Sequence, residues 1–540
     1  MQSATRNPFV NRMTLAALIC LLGSCVTPGE QAKTKSPQIK NIIMLIGDGM
    51  GPQQVGLLLS YARQAPHGVL SERNTAVDRI MQRGRLGIVL PHPADSLVTD
   101  SASAATQLAS GQFSRPELLG VDQHGDRVVN IVERAKQLGK ATGLVSDTRI
   151  THATPAAFAA HQSHRSQEND IAEDLLATAP DVMLSAGYGY WIPKDLQADH
   201  SASMESLRQA NGADKLESKR TDNKNLLSAA ERQGYRLAFN REQLASAQGK
   251  VLGLFAPLEM PDGIMEKQTK DDPTRTIPTL REMTAEVLKR LETRPQGFFV
   301  MIEAGQIDWA SHHNDTGLLL HEMLKFNETL NYVLDWAAQR DDTLIMVTAD
   351  HETGGFGFSY SSANIPPAIS LPGKAFAGKA PYRPKVNYGN PEVLDRLYAQ
   401  RLSYHELFKR FNVLPKERQT PDELMTLVNA HTEFKISRSQ AETILTTEAN
   451  PLYREGQADK IAKLIPKMPV NSAFFPYAPD NRENLLAQAV ASDQSVVWAS
   501  GTHTSTPVYL FTQGPGDMTV DFAKVLHQTQ VGQLAIKALE

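Results

Sequence analysis

The chain has 540 residues, 41% of them hydrophobic and 21% charged, which excludes a disordered class and allows one large α/β domain with an insertion. A formal net charge of −4 gives no whole-protein field to draw in nucleic acid, so any anionic ligand must be attracted by a local site. Both cysteines, Cys20 and Cys25, fall near the N-terminus, which excludes a disulfide framework in the body of the chain.

Arg6 and Arg12 precede an apolar run from Met13 to Leu22, the charged-then-apolar layout of a secretory signal and too short for a comfortable membrane span. The run ends Leu22-Gly23-Ser24-Cys25, which resembles a bacterial lipobox, where cleavage falls before the cysteine and the thiol receives lipid. The alternative is an ordinary signal peptide cut nearby. The expectation is an exported protein, in the periplasm or at the outer membrane and lipid-anchored at Cys25, with residues 1–25 as signal and 26–38 as a polar tether. No later segment is long and apolar enough to cross a bilayer.

Asn41 to Ile46 is an apolar run that predicts a buried parallel strand with Asp48 just beyond its C-terminal end. Asp126 to Leu138 is helical in period, and a strand follows from Ala141 to Ser146. The polar stretch 190–250 suggests no role. Gly297 to Ile302 is another apolar run, ending in Glu303. Leu318, Leu319, Met323, Phe326, Leu330, Val333 and Leu334 recur at helical spacing, and Thr343 to Thr348 then reads as a strand ending in Ala349-Asp350-His351. This alternation predicts a central, mostly parallel sheet with helices on both faces. Reactive residues in such sheets gather beyond the carboxyl ends of the strands, where Asp48, Glu303 and Asp350 all fall.

Residues 358–492 depart from this pattern. Proline-, glycine- and lysine-rich loops over 364–391 give way to amphipathic stretches, Asp422 to Ala430 and Arg438 to Thr446, which predict an inserted, mostly helical subdomain. The α/β domain thus comprises 39–357 and 493–540. Its last part resumes with Ser495 to Ala499, a strand at Pro507 to Phe511 and a final helix near Asp521 to Leu539.

Asp100 reads as a cap before the small-residue run Ser101-Ala102-Ser103-Ala104-Ala105, with Ser101 in the first helical turn. Backbone N–H groups favour an anion there. A serine at that position is ordinarily structural, and as a nucleophile it needs a base or a metal to ionise it. Asp308 and His312, four apart, share one helix face, and a carboxylate with an imidazole suits zinc. Asp350 and His351 close a buried strand, where adjacent polar groups need partners. His503 precedes a strand and alone carries no signal.

Gly47-Asp48-Gly49-Met50, Thr99-Asp100-Ser101-Ala102, Ala153-Thr154-Pro155, Glu303 through His312, Thr348-Ala349-Asp350-His351 and Gly501-Thr502-His503 occur in an order and spacing that resemble the alkaline phosphatases. The resemblance covers roughly residues 40–360 and 495–520. It implies a phosphoric monoester hydrolase with Ser101 as nucleophile, working through a phosphoserine. Asp308, His312 and His503 would hold one zinc, and Asp48, Asp350 and His351 a second. Asp48, Thr154 and Glu303 would hold a third ion, and their oxygen donors favour magnesium. Arg165 matches the family's phosphate-clamping arginine, whose planar fork suits two phosphate oxygens. Four carboxylates against three divalent ions and Arg165 leave a net positive site, one that draws phosphate monoesters. A homodimer is the family expectation.

Two positions depart from the best-known bacterial members. His152 stands where they have an aspartate, and Trp309 where they have a lysine, as in some marine bacterial members. A nitrogen at 152 could shift the third site away from magnesium. Trp309 either packs under the site or meets substrate. A phosphodiesterase of the same superfamily is the nearest alternative, and Thr154, Glu303 and Arg165 favour the monoesterase. A sulfatase is disfavoured because no Cys/Ser-x-Pro-x-Arg stretch surrounds Ser101, and a non-catalytic, lipid-anchored metal- or phosphate-binding protein is the third alternative.

Overall fold

The structure, a computed structural model, describes residues 39–212, 216–450, 463–468 and 481–540. The signal segment, the tether and Cys25 lie outside the described residues.

Ten strands form one sheet: β1 (Asn41–Gly47), β2 (Arg85–Leu90), β3 (Ala141–Arg149), β4 (Val182–Ala186), β5 (Arg236–Ala238), β6 (Val251–Leu254), β7 (Phe298–Ala304), β8 (Thr343–Thr348), β9 (Val508–Gln513) and β10 (Val525–His527). The spatial order is β10-β2-β9-β8-β1-β7-β3-β4-β6-β5, and only β9 runs antiparallel to its neighbours. Every residue of β1 is buried, as expected of a strand covered on both faces. Full burial of Ile42, Ile43, Leu45 and Ile46 contributes about 1.5–3 kcal/mol each. β1 lies between β7 and β8, with Ile46 opposite both Glu303 and Thr348, so the carboxyl ends of the three strands finish level.

The predicted α/β fold is observed, with shifts in some elements. The helix expected from Asp126 begins only at Ile131, because Asn130 and Glu133 form a capping box that fixes its start. The terminal helix runs Gln528–Leu539, and strand β10 occupies residues read as its first part. The polar stretch 190–250 holds the helices Ala202–Asn211, Leu226–Arg232 and Arg241–Ser246 and the sheet-edge strand β5. Within 358–492 the described helices are Glu392–Tyr398, Tyr404–Asn412, Pro421–His431 and Arg438–Leu445, and a further one, Asn481–Gln494, ends just beyond. Among the described residues no helix is long and apolar enough to cross a membrane.

Candidate active site

Four adjacent strands, β8, β1, β7 and β3, deliver the site from their carboxyl ends. Asp48 follows β1, Glu303 is the penultimate residue of β7, Asp350 and His351 follow β8, and Ser146 and Thr148 lie near the end of β3. The helix Gln306–His312 starts three residues after Glu303 and sets Asp308 and His312 one turn apart. His503 arrives from far along the chain, paired antiparallel with Thr353, so one short ladder brings it beside His351.

Asp308, His312 and His503 form one group. His312 Nε2 lies 3.2 Å from Asp308 Oδ2 and 3.1 Å from His503 Nε2. The opposite ring nitrogens are committed elsewhere: His312 Nδ1 donates to Gly501 O at 2.7 Å, and His503 Nδ1 to Thr99 O at 2.8 Å. Burial pushes His503 down to about 3, so its ring is neutral. His503 Nε2 then turns a lone pair toward His312 Nε2, with Asp308 beside both rings, a nitrogen-and-oxygen set suited to a cation.

Asp48, Asp350 and His351 form the second group, with His351 Nε2 at 3.5 Å from Asp48 Oδ1 and 3.2 Å from Asp350 Oδ2. Ser101 Oγ lies 3.3 Å from the same His351 nitrogen. Asp48, His152 and Glu303 form the third. There His152 Nδ1 faces Glu303 Oε1 at 3.7 Å, while Thr154 Oγ1 donates to Asp48 Oδ2 at 3.2 Å. Glu303 Oε2 is held by the hydroxyls of Ser146 and Thr148.

Asp48 Oδ1, Asp350 Oδ2, Glu303 Oε1 and His152 Nδ1 are buried with no hydrogen-bond partner among the described residues. Burial, aided by neighbouring carboxylates, pushes Asp350 and Glu303 up to about 7 and Asp48 well above the usual range. A water-excluded pocket holding this many acids is costly unless divalent cations neutralise them. The orphaned oxygens and outward-facing nitrogens therefore fit metal ions, in groups that coincide with the expected first and second sets. The third joins His152 to Asp48 and Glu303, with Thr154 beside them on Asp48 Oδ2.

Ser101 opens the helix Ser101–Ser110, whose cap Asp100 accepts from Ser103 N at 3.1 Å. Arg165 is partly buried: Nη1 donates to Asp100 Oδ2 at 3.0 Å, and Nη2 lies 3.2 Å from His152 Nε2. Trp309 meets His152 edge-on with ring centroids 5.9 Å apart. Ser101, Arg165, Trp309, His312 and His503 line one open cavity of about 570 Å³. Sequence reasoning missed Asp100 as the partner of Arg165, and Ser146 and Thr148 as supports of Glu303. It also missed Thr353, whose hydroxyl donates to Asp308 Oδ1 at 2.5 Å. A polar run, Ser146-Asp147-Thr148, closing an apolar strand was the one available signal.

The profile of the alkaline phosphatase family matches residues 39–450. Alkaline phosphatase 3 of Bacillus subtilis is 34% identical over 334 residues, covering 61% of this chain and 64% of that one. Alkaline phosphatase H of Pseudomonas aeruginosa is 31% identical over 411 residues, 68% of this chain and 79% of its own. The chain spans just under two thirds of the length of the Bacillus relatives it matches. Among solved structures, the alkaline phosphatase of Thermus thermophilus superposes with a TM-score of 0.71 at 24% identity, covering 96% of both chains. A cold-active alkaline phosphatase from a psychrophilic Shewanella gives 0.65 at 24% identity, covering 93% of this chain and 100% of that one. At that identity these neighbours speak for the fold, and the sequence match carries the rest: the chain belongs to the alkaline phosphatase family.

Proposed function

We propose that the chain is an alkaline phosphatase, hydrolysing phosphate monoesters through a phosphoserine formed on Ser101. The observation that carries this reading is the placement of Ser101 Oγ at a helix N-terminus, 3.3 Å from His351 Nε2 and in one cavity with Arg165. Asp308, His312 and His503 would hold one zinc, Asp48, Asp350 and His351 a second, and Asp48, Thr154, Glu303 and His152 a third ion, magnesium or another divalent metal. When bound, such ions supply Lewis acidity and lower the pKa of nearby hydroxyls and water.

Ser101 Oγ gives up its proton to solvent and attacks phosphorus in line, so that an Oγ–P bond forms as the bond to the leaving oxygen breaks and that oxygen takes a proton from solvent. Arg165 spans two equatorial oxygens with its fork, and the backbone N–H of Ser101 meets the third. Asp100 holds the guanidinium through Nη1. Water then cleaves the Oγ–P bond, releasing inorganic phosphate and restoring the serine hydroxyl. Serine ionisation and leaving-group release both favour an alkaline optimum. The same reading includes export with lipid at Cys25, argued from the N-terminal sequence, and a homodimer, argued from family resemblance.

Replacing Ser101 with alanine tests it. Turnover of nitrophenyl phosphate should fall by about 10³-fold or more while elemental analysis finds the metals retained. Unchanged turnover would remove Ser101 from the mechanism. Faster turnover of a bis-nitrophenyl diester than of the monoester would make the protein a phosphodiesterase instead.

A further inference from the structure

The loop after the nucleophile's helix contains one non-glycine residue in the left-handed region, Glu117 at φ 68°, alongside Gly111, Gly120 and Gly125. A glycine adopts that conformation freely, whereas a glutamate rarely does and then only when its surroundings impose it. At Glu117 the surroundings are the site itself. Its N–H donates to Asp100 Oδ1 at 3.0 Å, and its carbonyl accepts the Arg165 N–H at 2.9 Å. Asp100 Oδ1 also caps the Ser101 helix, and Oδ2 holds the Arg165 guanidinium. Glu117 therefore ties the carboxylate that orients Arg165 to the backbone that carries it.

The rest of the loop fixes this clasp. Leu119 and Gln162 exchange two backbone hydrogen bonds, of 3.0 and 2.8 Å. Gly120 N donates to Thr106 Oγ1 at 2.9 Å, and a Cβ on Gly120 would stand 2.0 Å from the Ala160 carbonyl oxygen. The loop is thus wedged between the Ser101 helix and the segment bearing Arg165. The Glu117 side chain makes none of these contacts, although the residue lines the same cavity as Ser101 and Arg165. It is 59% exposed and pairs at 2.9 Å with His164, itself 45% exposed, a solvent-screened contact of small worth.

We propose that Glu117 is a positioning residue for phosphate binding, acting through its left-handed backbone and not through its carboxylate. The proposal rests on the reading of Arg165 as the phosphate clamp. A shift of about 1 Å in such a clamp can cost on the order of 10²-fold in rate, so a residue that restrains both its anchor and its backbone matters to binding.

The test compares Glu117→Asn, Glu117→Gly, Glu117→Ala and Glu117→Val in the full chain, with Arg165→Ala as control. Inhibition by inorganic phosphate, KM and kcat for nitrophenyl phosphate, metal content and Tm are measured for each. Asparagine and glycine accept the left-handed region, so both should stay within about twofold of the parent. Valine resists it and should raise KM and the phosphate inhibition constant about tenfold with metals retained, and alanine should fall between. A purely structural role would lower Tm and leave the phosphate constant unmoved. If valine fails to fold, the alanine–asparagine difference decides. Equal losses in all four variants would assign the effect to the carboxylate and overturn the proposal. So would an unmoved phosphate constant in the valine or, failing that, the alanine variant, provided Arg165→Ala weakens phosphate. An unmoved constant in Arg165→Ala would instead overturn the clamp reading itself, and the proposal with it.

Discussion

Replacing Lys325 with methionine should cost this protein several degrees of thermal stability, and more at high pH than at low. Lys325 sits on the long helix Thr316–Ala337 with a side chain only 4% exposed. Its Nζ lies 2.8 Å from Asp147 Oδ2 and 2.5 Å from Glu322 Oε2, so one buried cation serves two buried carboxylates. Asp147 Oδ1 accepts the Gly305 N–H at 2.6 Å, and Glu322 Oε1 accepts the Gly263 N–H at 2.5 Å. Methionine matches the stem in volume and removes only the charge. Breaking a buried pair by deleting one partner costs about 3–5 kcal/mol. With an unfolding entropy of about 2 cal/mol/K per residue over roughly 500 residues, Tm should drop by about 3–5 °C. Burial, with Asp147 adding to it, pushes Glu322 up to about 8 even against the attraction of Lys325. A carboxylate raised in this way keeps a proton when folded that it releases when unfolded. Stability therefore falls as pH rises from the ordinary glutamate range to about 8. Without Lys325 that window extends further upward, so the deficit of the variant should be larger at pH 9 than at pH 6. Scanning calorimetry of both proteins at the two pH values measures it. A Tm change below about 1 °C, or a deficit that does not grow with pH, would refute the assignment of Lys325 as the counter-ion.

Gly305→Ala should deplete the third metal group. The backbone there is ordinary, at φ −81°, but the new Cβ would stand 2.3 Å from Thr148 Cγ2 and 3.0 Å from the Glu303 carboxyl carbon. Elemental analysis should find about one ion fewer per chain, and full stoichiometry would refute the prediction. Chelation should lower Tm, because Asp48, Asp350 and Glu303 then face one another without counter-charge. An ion present at about 100 times its dissociation constant contributes about 2.7 kcal/mol per site, and added zinc should restore the loss. A chelator that leaves Tm unmoved would exclude structural metal binding.

Much of this was legible in the chain alone, for local reasons. β1 and β8 are short apolar runs covered on both faces, so composition marks them, and the polar residue that ends each run falls by geometry at the carboxyl edge. Asp48, Glu303 and Asp350 could be placed there one strand at a time. Asp308 and His312 share a helix face through spacing alone. Tertiary structure decided what depends on neighbours. The order β8-β1-β7-β3 gathers those residues, and the ladder between Thr353 and His503 carries the last imidazole across about 150 residues of sequence. Ser146, Thr148 and Asp147 look alike in sequence, yet two hold Glu303 and the third faces Lys325, because side chains on a strand point to alternate faces. Glu117 in sequence is one more acidic loop residue, and only the backbone angle imposed by Asp100 and Arg165 sets it apart.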